Sequence, residues 1–204
     1  SLTAGKIYNS NRAMICGLLE DLGFHKITHY HVSDAPEELE SEINHVLQLS
    51  EDADIIISSG GVSVGLFDTM PLIYEKLGAK SIYARIQMRP GAASYGAVTP
   101  KGQIIFGLSG NPGAAFNGWH LIVAPTLKRY KGLKNWTTPV VACVMDSEIF
   151  KRNAFDRYVQ GKVIFGGGAP RFVANRHFNS SSMLGLYTVN ALACIPQGVH
   201  EVHE

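Results

Sequence analysis

Net charge is almost absent: 18 Lys+Arg stand against 17 Asp+Glu in 204 residues, a formal balance of +1. That excludes the basic footprint with which proteins wrap nucleic acid or lie on an acidic membrane, and it points to a small-molecule or protein partner. Cysteine is scarce as well. Cys16, Cys143 and Cys194 are odd in number, far apart and set in apolar runs. They fit no disulfide framework or zinc ribbon and read as reduced, buried thiols of a cytoplasmic protein. Apolar runs such as 55–57 and 121–124 fall far short of the ~20 residues of a membrane span, and nothing in the sequence reads as a signal peptide. The eight histidines form no metal signature; His29 and His31, two apart on an expected strand, have the spacing of a half-buried structural pair. A Gly-x-Ser-x-Gly elbow, a Cys–His pairing, internal repeats and low-complexity segments are all lacking.

What is present is an alternation of helical and strand periods. Ile15, Leu18, Leu19 and Leu22 recur at helical spacing over 10–22, with Gly23 placed for a left-handed C-cap. Residues 27–32 read as a strand, and Asp34 with Glu37 makes a capping-box start for a helix bearing Leu39, Ile43, Val46 and Leu47. The Ile-rich run 53–58 suits a central parallel strand covered on both faces. A helix at 69–77, strands at 81–88 and 103–108, and a long helix over 112–130 follow, the last kinked at Pro125. Such an alternation predicts an α/β fold with an open, mostly parallel sheet, helices on both faces and right-handed crossovers. After Gly132 the texture changes to strand-like segments at 140–145, 157–165, 171–174 and 191–195, divided by Gly, Pro and Asn. The expected organisation is an α/β domain over 1–134, a linker near 133–138 and a small all-β, barrel-like domain over 135–204.

Open parallel sheets bind ligands at the carboxyl ends of their strands, so the loops after strands carry the candidate site. In the first of them, Ser58, Ser59, Gly60, Gly61, Ser63 and Gly65 combine glycines that let backbone N–H groups converge on a ligand with hydroxyls that suit phosphate oxygens. It lacks the Lys of a Walker loop and the spacing of a dinucleotide fingerprint, and a tight turn fits the same residues. In the second, Ser109, Gly110, Asn111 and Pro112 lead from a strand into the long helix. Asn111 as N-cap and Pro112 at the first helical position suit both ordinary capping and an anion at the helix start. The third contains Arg89, Pro90 and Gly91, where Arg89 suits an oxyanion or a solvated surface. Asp68 stands where the first loop meets a helix, placed either to order a hydrated Mg²⁺ or to cap that helix.

Taken in order, residues 5–12, the 58–65 loop with Asp68, Met88 to Gly91 and the 107–112 loop resemble the MoeA family of molybdenum cofactor enzymes. The likeness extends over most of the chain, because Asn179, Ser180, Ser181, Asn190, Ala191 and Leu192 are similar to that family's C-terminal β domain. The resemblance implies a molybdopterin-binding α/β domain and Mg²⁺-dependent transfer of molybdate onto the dithiolene of adenylated molybdopterin, with release of AMP. It implies Asp68 at the metal or molybdate step, Asp34 and Arg89 as further catalytic positions, the glycine loops as pterin-phosphate cradle, and Ser180 with Ser181 as nearby hydroxyls. Arg89 stands where many members have Lys, Ala92 where many have a second Lys, Ser109 for a frequent Pro and Asn9 for a frequent Asp. Members are roughly twice this length, with two further N-terminal domains, a strand and a Thr-Gly-Asp-Glu turn upstream, and a homodimeric assembly; this chain then reads as a C-terminal fragment. Two other readings are a non-catalytic molybdopterin-binding module and a protein-association scaffold.

Overall fold

The computed structural model describes residues 8–33, 35–62, 69–146, 149–150, 154–175, 183, 185–199 and 201–202. They pack into two compact units: residues up to Arg85 together with 93–110, and 86–92 together with 111 onward.

In the first unit, helix α1 (Ser10–Asp21) starts at Asn9, whose side-chain oxygen accepts from the Arg12 N–H at 3.0 Å. It ends in the turn before Gly23, with the Leu22 N–H shared between the Leu18 and Leu19 carbonyls. Residues 27–32 carry no strand, because nothing among the described residues offers a ladder to pair with. Helix α2 (Leu39–Leu49) is preceded by a 3₁₀ turn at Pro36–Glu38, and Glu38 rather than Asp34 stands at its N-cap, without a side-chain cap bond. Asp34 lies outside the described residues.

Strand β1 (Ile55–Ser59) pairs parallel with β5 (Ile104–Leu108), from Ile55 opposite Ile104 to Ser59 opposite Leu108. Between them in sequence come α3 (Thr69–Lys76), β2 (Lys80–Ala84), β3 (Met88–Arg89) and β4 (Tyr95–Val98). The sheet order is β1-β5-β4-β2, with β4 antiparallel to both β5 and β2. Among the described residues the sheet is therefore mixed, with one parallel pair. The short run from β4 to β5 closes as a hairpin, where the Thr99 N–H donates to the Gln103 carbonyl, and a hairpin is antiparallel by construction. β1, expected at the centre, is an edge of the described sheet and only half-buried, whereas β5 is buried along most of its length. The core gathers Ile43, Met70, Ile73, Tyr74, Ala97 and Ile105. Gln103, itself buried, ties the approach to β1 to the start of β5 by donating to the carbonyls of Ser50 at 2.6 Å and Ala53 at 2.7 Å.

In the second unit the run over 112–130 is helical throughout, as α4 (Pro112–Gly118), a π turn over Trp119–Val123 and α5 (Ala124–Tyr130). The wider turn ends just before Pro125, which has no N–H to give the preceding turn. Thr126 Oγ1 donates to the Ile122 carbonyl at 2.7 Å, one turn back along the same run. The β part holds β6 (Val144–Met145), β7 (Ile149–Phe150), β8 (Asp156–Ile164), β9 (Arg171–Ala174), β10 (Ala191–Ile195) and β11 (Glu201–Val202). β8 is long enough to pair with β10, β9 and β3 along different stretches, which curls the sheet in the order β10-β8-β9-β6; β11 pairs with β7. Met145, Phe172 and Ile195 are the core of this sheet. Gln160, on β8 and buried, donates to the Gly113 carbonyl at 2.9 Å and to Asn117 Oδ1 at 2.7 Å, while Asn117 donates to the Tyr158 carbonyl at 3.2 Å. These bonds join β8 to α4 through polar groups that would be costly to bury unpaired. The α/β class and the barrel-like β part expected from sequence are both present, and among the described residues no helix is long and apolar enough to cross a membrane.

Candidate functional site

In the first unit the parallel pairing of β1 and β5 sends their two following loops out at the same sheet end. The Gly60 N–H donates to the Leu108 carbonyl at 3.0 Å, so the turn after β1 is fastened to the last residue of β5. Gly60 and Gly110 then approach backbone to backbone: a Cβ built on Gly110 would lie 3.4 Å from the Gly60 Cα. Gly60 and Gly61 also have φ of +86° and +63°, which side-chain-bearing residues rarely adopt. A Cβ at either glycine would meet the other loop in van der Waals contact, and a branched side chain would crowd it.

The loop hydroxyls are partly spent on the scaffold. Ser58 Oγ lies 2.6 Å from the Tyr74 hydroxyl, and Tyr74 is stacked on Tyr95 with ring centroids 4.8 Å apart. Burial pushes the Tyr74 phenol well above its ordinary range, so it stays a neutral partner. Ser59 Oγ accepts from Asn11 Nδ2 at 2.6 Å and faces the Ser109 carbonyl at 3.4 Å. Asn11 also donates to the Gly110 carbonyl at 2.9 Å. Thus Ser58, Ser59, Gly60, Gly61, Ser109 and Gly110 are brought together at one sheet end. Asn11 and Tyr74 belong to the same group, and sequence reasoning missed them. A signal for Asn11 was present: it stands one turn before Ile15 on the inward face of α1, a polar residue where the period calls for an apolar one.

A cavity of ≈ 280 Å³ opens at the other end of the first unit, near the start of β5, lined by Leu47, Ser50, Lys76, Lys101 and Gln103 among others. It is a poorer site than the glycine loops, because the Gln103 amide is already engaged with Ser50 and Ala53.

In the second unit Asn111 caps α4, its Oδ1 accepting from the Ala114 N–H at 3.2 Å, with Pro112 at the first helical position. The 88–91 loop lies against the same helix start. A Cβ on Gly91 would be 3.4 Å from the Ala114 carbonyl and would run into Met88 Cε, and the Gly91 φ of +115° is one that residues with a side chain rarely adopt. The Arg89–Pro90 peptide is cis. Arg89 is exposed, its guanidinium carbon 5.5 Å from the centre of the Phe155 ring, so it is held at the surface by a cation–π contact and available to an anion. Asp68, Asp34, Ser63, Gly65, Ser180 and Ser181 lie outside the described residues. Among the described residues no three His, Cys, Asp or Glu side chains gather to hold a metal ion.

A family model described as "Probable molybdopterin binding domain" matches residues 1–129. The molybdopterin molybdenumtransferase of Staphylococcus aureus strain MRSA252 is 33% identical over 197 residues, an alignment that covers 97% of this chain and 46% of that protein. The protein of the same name from Staphylococcus epidermidis strain ATCC 12228 is 30% identical over 201 residues, with the same coverage of 97% and 46%. The chain spans about half the length of the curated relatives it matches. Among solved structures, the molybdopterin biosynthesis moeA protein from Pyrococcus horikoshii superposes with a TM-score of 0.77 at 23% identity, covering 100% of this chain and 48% of its own. A molybdenum cofactor biosynthesis protein from Pyrococcus furiosus gives 0.67 at 19% identity, covering 96% and 61%. At such identities the likeness to these structures is one of fold. With the sequence match extending over more than half of the chain, from residue 1 through α1, the glycine loops and the helical run to 129, this chain belongs to the molybdopterin-binding domain family.

Proposed function

We propose that the chain binds molybdopterin, in free or adenylated form, at the two glycine loops of the first unit. The observation that carries this reading is the backbone-to-backbone approach of Gly60 and Gly110 at one sheet end, a surface shaped by absent side chains. The N–H groups of Gly61 and Gly110 are the proposed donors to the pterin phosphate, with Ser58, Ser59, Ser63, Gly65 and Ser109 around them, in the manner of an anion-binding nest. Arg89, Pro90, Gly91, Asn111 and Pro112 are proposed as anion-binding elements of the second unit. The same proposal takes 1–134 as the pterin-binding domain and 135–204 as the small β domain, a division supported by the family match to 1–129.

In a longer, homodimeric, cytoplasmic parent the site would serve the transfer of molybdate onto the dithiolene of adenylated molybdopterin, with AMP released. The names of the Staphylococcus relatives support the molybdenum transfer. Asp68 is proposed to hold Mg²⁺, which would neutralise phosphate or oxyanion charge, and Asp34, Ser180 and Ser181 to contribute beside it. These assignments rest on the resemblance.

Calorimetric titration with molybdopterin tests the binding site. Gly110→Val places branched carbon against Gly60 and is expected to weaken binding about tenfold or more, on the order of 1.4 kcal/mol, while the circular dichroism spectrum is retained. Wild-type affinity in a folded Gly110→Val protein would refute the cradle.

A further inference from the structure

Asn11 reaches both glycine loops from an element that contains neither. It is 6% exposed, and its Nδ2 lies 2.6 Å from Ser59 Oγ, 2.9 Å from the Gly110 carbonyl and 3.5 Å from the Ser109 carbonyl. The amide nitrogen carries two N–H donors, so the loop after β1 and the loop after β5 are each bonded to one side chain of α1. Its Oδ1, in contrast, is buried with no hydrogen-bond partner among the described residues. A buried acceptor left unpaired is a penalty that an apolar side chain of similar size would not incur. What the amide adds at this place is therefore its pair of donors, and both act on the loops.

We infer that Asn11 is a positioning residue for the ligand proposed above, locking the two glycine loops in register before the ligand arrives. The inference rests on that reading of the site. Without the latch the loops are still connected through the Gly60 N–H and the Leu108 carbonyl, but Ser59 and the Ser109–Gly110 peptide lose their common anchor. Their ordering then falls on the binding step, where it lowers affinity.

Titration of the 204-residue chain with molybdopterin compares wild type, Asn11→Ala, Asn11→Ser and a control on the same helix face, Ile15→Val. Asn11→Ala is expected to bind roughly tenfold more weakly. Asn11→Ser, which keeps one donor, recovers part of that loss, and Ile15→Val leaves affinity unaltered whatever it does to the melting temperature. Loop exchange in the Asn11→Ala, Ser59→Ala double variant is expected to be no faster than in Asn11→Ala alone, because both changes break one latch. Amide hydrogen exchange of the unliganded protein is expected to quicken in peptides over 58–62 and 107–111 of the Asn11 variants and not of Ile15→Val.

Wild-type affinity in Asn11→Ala, with Gly110→Val still weakened, overturns the positioning role and leaves the site standing. If the wild-type chain takes up no molybdopterin, the reading of the site fails and the inference falls with it. Should Asn11→Ala not fold, Asn11→Ser decides: wild-type affinity together with wild-type exchange in both loops overturns the inference.

Discussion

Tyr74 and Ser58 stand 16 residues apart in sequence and 2.6 Å apart in space, hydroxyl to hydroxyl. Tyr74 is 2% exposed, so its oxygen depends on Ser58 for a partner, and a single deletion discriminates the two uses of that serine. Tyr74→Phe is expected to cost about 1 kcal/mol in urea unfolding, the net worth of the hydrogen bond to the half-buried Ser58 hydroxyl, and to leave molybdopterin affinity nearly unaltered. Unchanged stability with reduced affinity would instead make Ser58 a ligand group. At this scale the sequence showed that hydroxyls and glycines cluster after β1. It could not show which hydroxyl turns inward, because that depends on an α3 side chain carried past it by the fold.

The helical run from Pro112 to Tyr130 is an element whose chemistry lies at its middle. His120 sits in the π turn with its ring 4.3 Å from that of Phe116, and its Nε2 is buried without a hydrogen-bond partner among the described residues. Burial, with a smaller contribution from Lys128, holds the imidazole below its ordinary pKa of 6.5. A folded-state value below the unfolded one means that the folded protein prefers the neutral ring. The contribution to stability is therefore complete above the unfolded value, about pH 6.5, and is lost as pH falls through the folded one. Urea midpoints measured from pH 7 down to pH 5 are expected to drop less in His120→Phe than in wild type; parallel curves would show that His120 does not report this burial. Proline at 125 announced a disturbance in the helix, and the disturbance is real. Its form, a widened turn backed by Thr126, follows from how the carbonyls of the preceding turn find donors, which depends on local geometry that periodicity does not contain.

At the scale of the whole molecule, binding and turnover are expected to separate. Positioning of reacting groups supplies roughly 7–11 kcal/mol of a barrier, so a chain spanning 46% of its transferase relatives can hold the pterin and still react slowly. Molybdate insertion by this chain and by a full-length parent, compared at equal ligand saturation, checks this. Equal rates would mean that residues 5–181 suffice for the chemistry. In the full-length protein Asp68→Asn is expected to remove most insertion while sparing pterin binding, since the amide keeps the size of the carboxylate and not its charge. Near-normal turnover would reduce Asp68 to a helix cap.

What the sequence determined by itself was local: where the chain turns helical or extended, which loops are rich in glycine, and that Asn111 and Pro112 begin a helix. Those features depend on residues within a few positions of one another, and β5, β8, β9, β10 and the 112–130 run stand within a residue or two of where the periods placed them. Pairing was decided only by the tertiary structure. It made the described sheet mixed, left β1 at its edge, withheld a ladder from 27–32, and grouped the helical run with the second unit through Gln160 and Asn117. Asn11 acquired its role in the same way. A side chain on α1 meets loops 48 and 99 residues away only after β1 and β5 have aligned in parallel; the period of α1 marks Asn11 as a polar break, but the partners it meets are set by topology and not by sequence neighbours.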